Sequence, residues 1–316
     1  MRRFVHRVSW LAAAAALALP AGVVAAAPAR PPANAASAAF ADADGLHVLG
    51  VQQFDDRDYN VRVLSADIGR PINVRILLPA GYAQHPHRRY PVLYLFHGTS
   101  GFASDWVKSG HAEQTTAPYP LITVMPECGF DGDGGFWFTN WVDRTTSHGP
   151  SQFESYLIDQ LIPWVDHNLR TVAARRGRAV AGLSQGGYGS AEMAARHPDL
   201  FAAMASFSGA PEIDRDPDVI VGATAVIEAI AVGDDRVPPG SMFGSRATNE
   251  INWQGHDPST LMTNLRGMGI YLWTGTGAPG PYDSTPDPAA SGIEFLVYES
   301  TRHFHPHLVE AGIPSF

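Results

Sequence analysis

The sequence predicts an α/β fold in which a mostly parallel sheet is flanked by helices. Three observations carry the prediction. Continuous apolar runs at 91–96 and 120–126 have the composition of parallel strands buried on both faces. Segment 153–169 places apolar residues at 153, 157, 158, 161, 162, 165 and 169, the spacing of one helical face. From about residue 60 onward strand-like and helix-like segments alternate, as in βα units.

The elements follow in order. Residues 1–27 read as a secretory signal: Arg2, Arg3 and Arg7 precede an alanine-dominated apolar stretch that ends in Val24-Ala25-Ala26-Ala27. Pro20 and Gly22 break that stretch before the cleavage point, which favours a cleaved signal over a membrane anchor. Residues 28–45, rich in Ala and Pro, read as a flexible linker. One domain is expected over 46–316, with no internal repeat. Within it, 73–79 alternates and stops at a proline, as a strand does. The runs at 91–96 and 120–126 are buried strands, 153–169 is a helix, and 178–183 is a short strand. A helix over 187–197 stops at Pro198, and 201–208 and 269–274 are further strands.

Composition bounds the function. Acidic residues outnumber basic ones 31 to 22, and removal of Arg2, Arg3 and Arg7 with the signal takes the formal charge from −9 to −12. No basic block survives beyond the N-terminus, which argues against a nucleic-acid partner. After signal cleavage no stable membrane span is expected. Cys128 is the one cysteine, so no internal disulfide forms, and it reads as a passive buried thiol.

The nucleophile motif is Gly182-Leu183-Ser184-Gln185-Gly186, a G-x-S-x-G with a strand before it and a helix after it. Such a turn holds the serine in a strained backbone conformation and lifts its hydroxyl above the sheet, while the glycines admit close passage of strand and helix. Phe96-His97-Gly98-Thr99-Ser100-Gly101 follows the buried strand 91–96. In the fold that carries this motif, that loop supplies one oxyanion N–H and the residue after the nucleophile supplies the other, here the backbone amides of Thr99 and Gln185. His97 reads as a residue that shapes this loop rather than as a base.

The ordered set of markers resembles the secreted putative-esterase family of the α/β-hydrolase fold, which includes esterase D-like enzymes and mycolyltransferases. The markers are 90–98 (Tyr-Pro-Val-Leu-Tyr-Leu-Phe-His-Gly), 182–187, His197-Pro198-Asp199-Leu200-Phe201 followed by Ser206-Phe207-Ser208-Gly209, and 271–277. The resemblance covers roughly 60–316. It implies a serine esterase that forms an acyl-enzyme on Ser184, takes a small-molecule or lipid ester, and needs no cofactor. It also implies an acidic residue in segment 291–304. By the match of that segment Glu294 takes the acid's place, with Glu299, Asp283 and Asp287 as rivals.

The general base is not assigned. Family members continue from Gly-Ile-Pro into a last strand and a Gly-Thr-His motif, whereas this sequence reads Ala311-Gly312-Ile313-Pro314-Ser315-Phe316 and stops. The last strand and the histidine loop are therefore expected to be missing, and the base to lie beyond Phe316. His303, His305 and His307 alternate, which on a strand would form a metal strip. The segment reads as a helix, so no metal site is expected. His303 lies nine residues beyond Glu294, about 13 Å along a helix, too far for a bond between them. Trp106, Trp137 and Trp141 are candidate pocket residues. Two alternatives stay open. Acyl transfer to a sugar is one, although His97-Gly98-Thr99-Ser100 stands where mycolyltransferases carry an Asp-Gly-Leu-Arg loop. A non-catalytic secreted binding protein on the same fold is the other.

Overall fold

Eight strands form one mixed sheet, in the order β1-β2-β3-β5-β4-β6-β7-β8. They are β1 (Leu46–Gln53), β2 (Asp58–Ser65), β3 (Pro71–Leu77), β4 (Val92–Phe96), β5 (Ile122–Pro126), β6 (Arg178–Leu183), β7 (Ala203–Phe207) and β8 (Gly269–Trp273). The first three strands and the β3–β5 pair run antiparallel, and every pairing from β5 to β8 is parallel. The computed structural model describes residues 40–129, 135–143, 151–217, 237–280 and 287–316, with 219, 220, 222, 224, 226 and 227. The expected signal at 1–27 and the linker as far as residue 39 lie outside the described residues.

The end of the expected linker is part of the fold. The Phe40 ring stacks on Trp164 at 5.6 Å, the Ala41 amide donates to Asn168 Oδ1 at 2.7 Å, and Trp164 Nε1 donates to the Ala41 carbonyl. An aromatic ring and two satisfied polar groups hold residues that composition alone read as flexible.

The expected helix at 153–169 begins as α3 (Phe153–Ser155), passes through a π-helical stretch at Tyr156–Leu161 and continues as α4 (Ile162–Asn168). The wider register lies directly before Pro163, whose ring has no N–H to donate and would crowd the carbonyl four residues back. The same run therefore stays helical without a break. Its apolar face, with Phe153, Leu157, Leu161 and Val165, packs into the main core on one side of the sheet. So does α5 (Gln185–Arg196), almost every residue of which is buried.

The other face of the sheet is thinly covered. A small cluster of Leu77, Leu95, Ala112, Met125 and Ala181 packs there, beside the short helices α1 (Asp105–Lys108) and α2 (Ala112–Thr116). Towards β8 that face opens into an apolar trough of about 570 Å³ whose lining includes Leu93, Ala181, Ala205, Tyr271 and Phe316. Later in the chain come α6 (Arg246–Gly255) and the long α7 (Pro288–Glu310), capped by Asp287, whose side chain accepts from the Ala289 and Ala290 amides. Beyond β8, among the described residues, the only pairing comes from Phe316, which donates to Ile270 O and accepts from Leu272 N. The strand count reaches eight because β1 adds to the opposite edge.

Candidate active site

Ser184 stands between β6 and α5 with φ 57° and ψ −121°, a positive-φ conformation that a non-glycine residue adopts only under constraint. The constraint is close packing. A Cβ on Gly182 would lie 2.2 Å from the Gly186 carbonyl oxygen, and one on Gly186 would lie 2.5 Å from the His97 carbonyl oxygen. Only glycine lets the strand, the helix and the loop after β4 meet this closely. The Ser184 amide donates to the Phe207 carbonyl at 2.8 Å, tying the turn to the end of β7.

The loop after β4 lies against this turn. A Cβ on Gly98 would be 3.6 Å from Ser184 Cβ. Among the described residues, the amides of Thr99 and Gln185 donate to no protein group. His97 anchors the loop: its Nδ1 bonds the Gly98 carbonyl at 2.7 Å and its Nε2 accepts from the Cys128 amide at 2.9 Å. One nitrogen must therefore donate and the other accept, which fixes a neutral tautomer. Burial pushes its pKa down as well. Cys128 is buried, and its sulfur accepts from the Phe138 amide.

Ser184 borders an apolar pocket whose other lining residues include Trp137, Ile213, Val226, Ile293 and Val297. Trp137 and the next residue, Phe138, both have positive φ, 57° and 58°, a strained pair; Trp137 lines the same pocket as Ser184. The two other candidate pocket tryptophans lie elsewhere. Trp106 donates to the Phe96 carbonyl and packs near Phe207, outside the pocket lining. Trp141 is buried in the main core and donates to the Phe136 carbonyl.

Glu294 lies on α7 and faces the ends of β7 and β8. Its Oε1 accepts from Ser208 Oγ at 2.8 Å, Thr274 Oγ1 at 3.1 Å and the Gly275 amide at 2.5 Å. Its Oε2 accepts no bond among the described residues. The rivals are engaged otherwise: Glu299 pairs with Arg302, Asp287 caps α7, and Asp283 lies outside the described residues.

No described histidine is bonded to Ser184 or Glu294. His303 and His307 turn to Asp216, at 2.8 and 3.2 Å, and His305 is exposed. His256 bonds the Asn252 carbonyl, and burial with the nearby Arg196 charge lowers its pKa to about 4. His197 bonds Glu154. His6 and His148 lie outside the described residues.

Residues 65–305 match the family described as "Putative esterase". The chain belongs to this esterase family. An esterase of Mycobacterium tuberculosis is 33% identical over 278 residues, covering 86% of this chain and 57% of the relative, so the chain spans little more than half of that protein. The MPT51/MPB51 antigen of Mycobacterium bovis is 31% identical over 229 residues, covering 70% of this chain and 68% of the antigen. Among solved structures, Mycobacterium tuberculosis MPT51 superposes with a TM-score of 0.65 at 26% identity, over 82% of this chain and 88% of that one. A fluorophosphonate-binding serine hydrolase of Staphylococcus aureus superposes at 0.56 with 18% identity, over 81% of this chain and 87% of that one, and shares the fold. The esterase-family chain thus has the α/β-hydrolase fold that the alternating pattern and the motif order predicted. Among its described residues no helix is long and apolar enough to cross a membrane.

Proposed function

We propose that the chain is an exported serine esterase that cleaves carboxylic esters through an acyl-enzyme on Ser184. The observation that carries this reading is the strained Ser184 at a glycine-lined strand–helix turn, bordering an apolar pocket. Ser184 Oγ attacks the ester carbonyl while the acyl group lies in that pocket. The carbonyl oxygen becomes an oxyanion held by the Thr99 and Gln185 amides, which have no competing partner among the described residues. A histidine takes the hydroxyl proton and returns it to the leaving alcohol, and Glu294 orients that histidine through the oxygen that Ser208, Thr274 and Gly275 leave free. Water then attacks the acyl-enzyme and releases the acid. Export rests on the signal read at 1–27.

Acyl transfer to a sugar is the second reading, favoured by the likeness to the mycobacterial antigen. The loop His97-Gly98-Thr99-Ser100 lacks the acid and arginine that serve the sugar in mycolyltransferases, and this favours hydrolysis. The test is fluorophosphonate labelling of the chain, alone and with a histidine-bearing tail appended, followed by peptide mass spectrometry. A single adduct on Ser184, absent from Ser184→Ala, is expected. Failure of the extended chain to label, or an adduct elsewhere, overturns the reading. Release of free acid that does not fall when a sugar acceptor is added selects hydrolysis over transfer.

A further inference from the structure

We propose that Glu212, Asp216 and His307 form a binding site for one divalent cation of the Zn²⁺ type, with His303 positioning Asp216. The site lies away from Ser184, between the segment that follows β7 and the second half of α7. The helix does separate the three alternating histidines, as the sequence implied. It also sets His303 and His307 one turn apart on one face, the i, i+4 spacing that lets paired histidines serve one metal. The fold then brings two carboxylates to that face. This arrangement replaces the expectation of no metal drawn from the histidine spacing alone.

The distances suit a metal. One ligand atom from each of Glu212, Asp216 and His307 lies within 4.8 Å of the others. His307 Nε2 is 3.2 Å from Asp216 Oδ2 and 3.5 Å from Glu212 Oε2. Four ligands at the usual zinc distances of about 2.0–2.1 Å stand about 3.3 Å apart along each edge of a tetrahedron. His303 Nδ1 lies 2.8 Å from Asp216 Oδ2, the place of an outer group that fixes a ligating carboxylate.

Glu212 supplies an independent observation. Its side chain is 0% exposed; Oε2 accepts from Ser259 Oγ at 2.7 Å, and Oε1 has no partner among the described residues. A buried carboxylate oxygen with no donor needs a positive group or a proton. Two carboxylates and neutral imidazole balance a 2+ ion, and imidazole with oxygen ligands suits zinc. The other buried acid–histidine cluster, Glu154, Glu192 and His256, already has its cation, because Arg196 Nε stands 2.7 Å from Glu154 and 3.9 Å from Glu192.

The cation would brace the wall of the pocket beside Ser184. Ile213, next to Glu212, lines that pocket together with Val297 and Ser300 of α7. Ser300 Oγ already bridges the two segments, accepting from the Glu212 amide at 3.0 Å and donating to the Glu212 carbonyl at 2.8 Å.

The test is Zn²⁺ titration of the full chain after dialysis against a chelator, read by calorimetry and by thermal melting, with Co²⁺ as a spectroscopic substitute. One equivalent of Zn²⁺ should bind and raise the melting temperature, and Co²⁺ should show ligand-field bands in the visible. His305→Ala should keep both properties. His303→Ala should weaken binding about 10- to 100-fold, the usual cost of losing an outer partner of a ligand. His307→Ala and the isosteric Glu212→Gln should lose the stoichiometric site and the Co²⁺ bands. Glu212→Gln decides the matter if His307→Ala does not fold. Absence of stoichiometric Zn²⁺ binding by the wild-type chain, or its retention by Glu212→Gln, overturns the proposal.

Discussion

The Ser208 hydroxyl donates to the Glu294 carboxylate at 2.8 Å, one residue beyond the Phe207 carbonyl that receives the Ser184 amide. The end of β7 thus holds both the Ser184 turn and Glu294. Three donors converge on Glu294 Oε1, and Oε2 accepts no bond among the described residues, which leaves it for the proposed histidine. Removing Ser208 should loosen the acid without touching the substrate. In a chain carrying a histidine-bearing tail, Ser208→Ala is expected to lower kcat about 10-fold with KM unchanged, since a hydrogen bond to a charged group is worth about 1.5–3 kcal/mol. Steady-state kinetics on a p-nitrophenyl ester reads it, and a change in KM alone would count against the role.

Among the described residues no histidine is bonded to Ser184, and a serine hydroxyl without such a base beside it is a weak nucleophile. These 316 residues by themselves are expected to turn over simple esters slowly. Appending a tail that contains Gly-Thr-His-Ser-Trp should raise kcat at least about 10³-fold, the scale on which triad members act. Fast, Ser184-dependent turnover by the unextended chain would show that another group serves as base.

The proposed oxyanion donors are backbone groups, so side-chain changes and N–H removal should separate. Thr99→Ala is expected to stay within a few-fold of wild type, because Thr99 Oγ1 has no hydrogen-bond partner among the described residues. Thr99→Pro should lose about 10²–10³ in kcat. Equal rates for the two variants would remove this loop from the oxyanion site.

Stability should fall in acid through Glu154. Burial by itself would raise this carboxyl, but the bonds from His197 and Arg196 outweigh it and hold the pKa at about 2, against 4.5 for an ordinary glutamate. The folded state therefore binds its proton more weakly than the unfolded chain does. The contribution is complete above pH 4.5 and is lost as pH falls from there towards about 2. His256, held neutral down to about pH 4, adds its own loss between pH 6.5 and 4. Urea midpoints measured against pH should show Glu154→Gln less stable at pH 7 and converging with wild type near pH 2. Parallel curves at all pH values would contradict the assignment.

The parallel half of the fold could be read because burial writes itself into composition. The apolar runs that became β4 and β5 are buried along nearly their whole length. The sharp turn at Ser184 was legible because close packing demands glycine at 182 and 186. β1 was not, since seven of its eight residues are at least partly exposed and the strand has no alternating pattern. Trp137 and Trp141 stand four residues apart in one aromatic stretch, yet one lines the pocket and the other fills the core. Positive φ at Trp137 and Phe138 turns the chain between them, and nothing in two bulky aromatic residues signals that conformation. The Asp216 contacts of His303 and His307 join residues about ninety positions apart, beyond the reach of any local periodicity.

His97 is held in its neutral form by its two hydrogen bonds and by burial. With one ring nitrogen on the Gly98 carbonyl and the other on the Cys128 amide, the ring has no position left for a second proton, and burial works against one. The amides proposed to hold the oxyanion therefore keep their places across the neutral range. In a pH–rate profile of the proposed reaction, His97 is therefore expected to contribute no inflection in the neutral range.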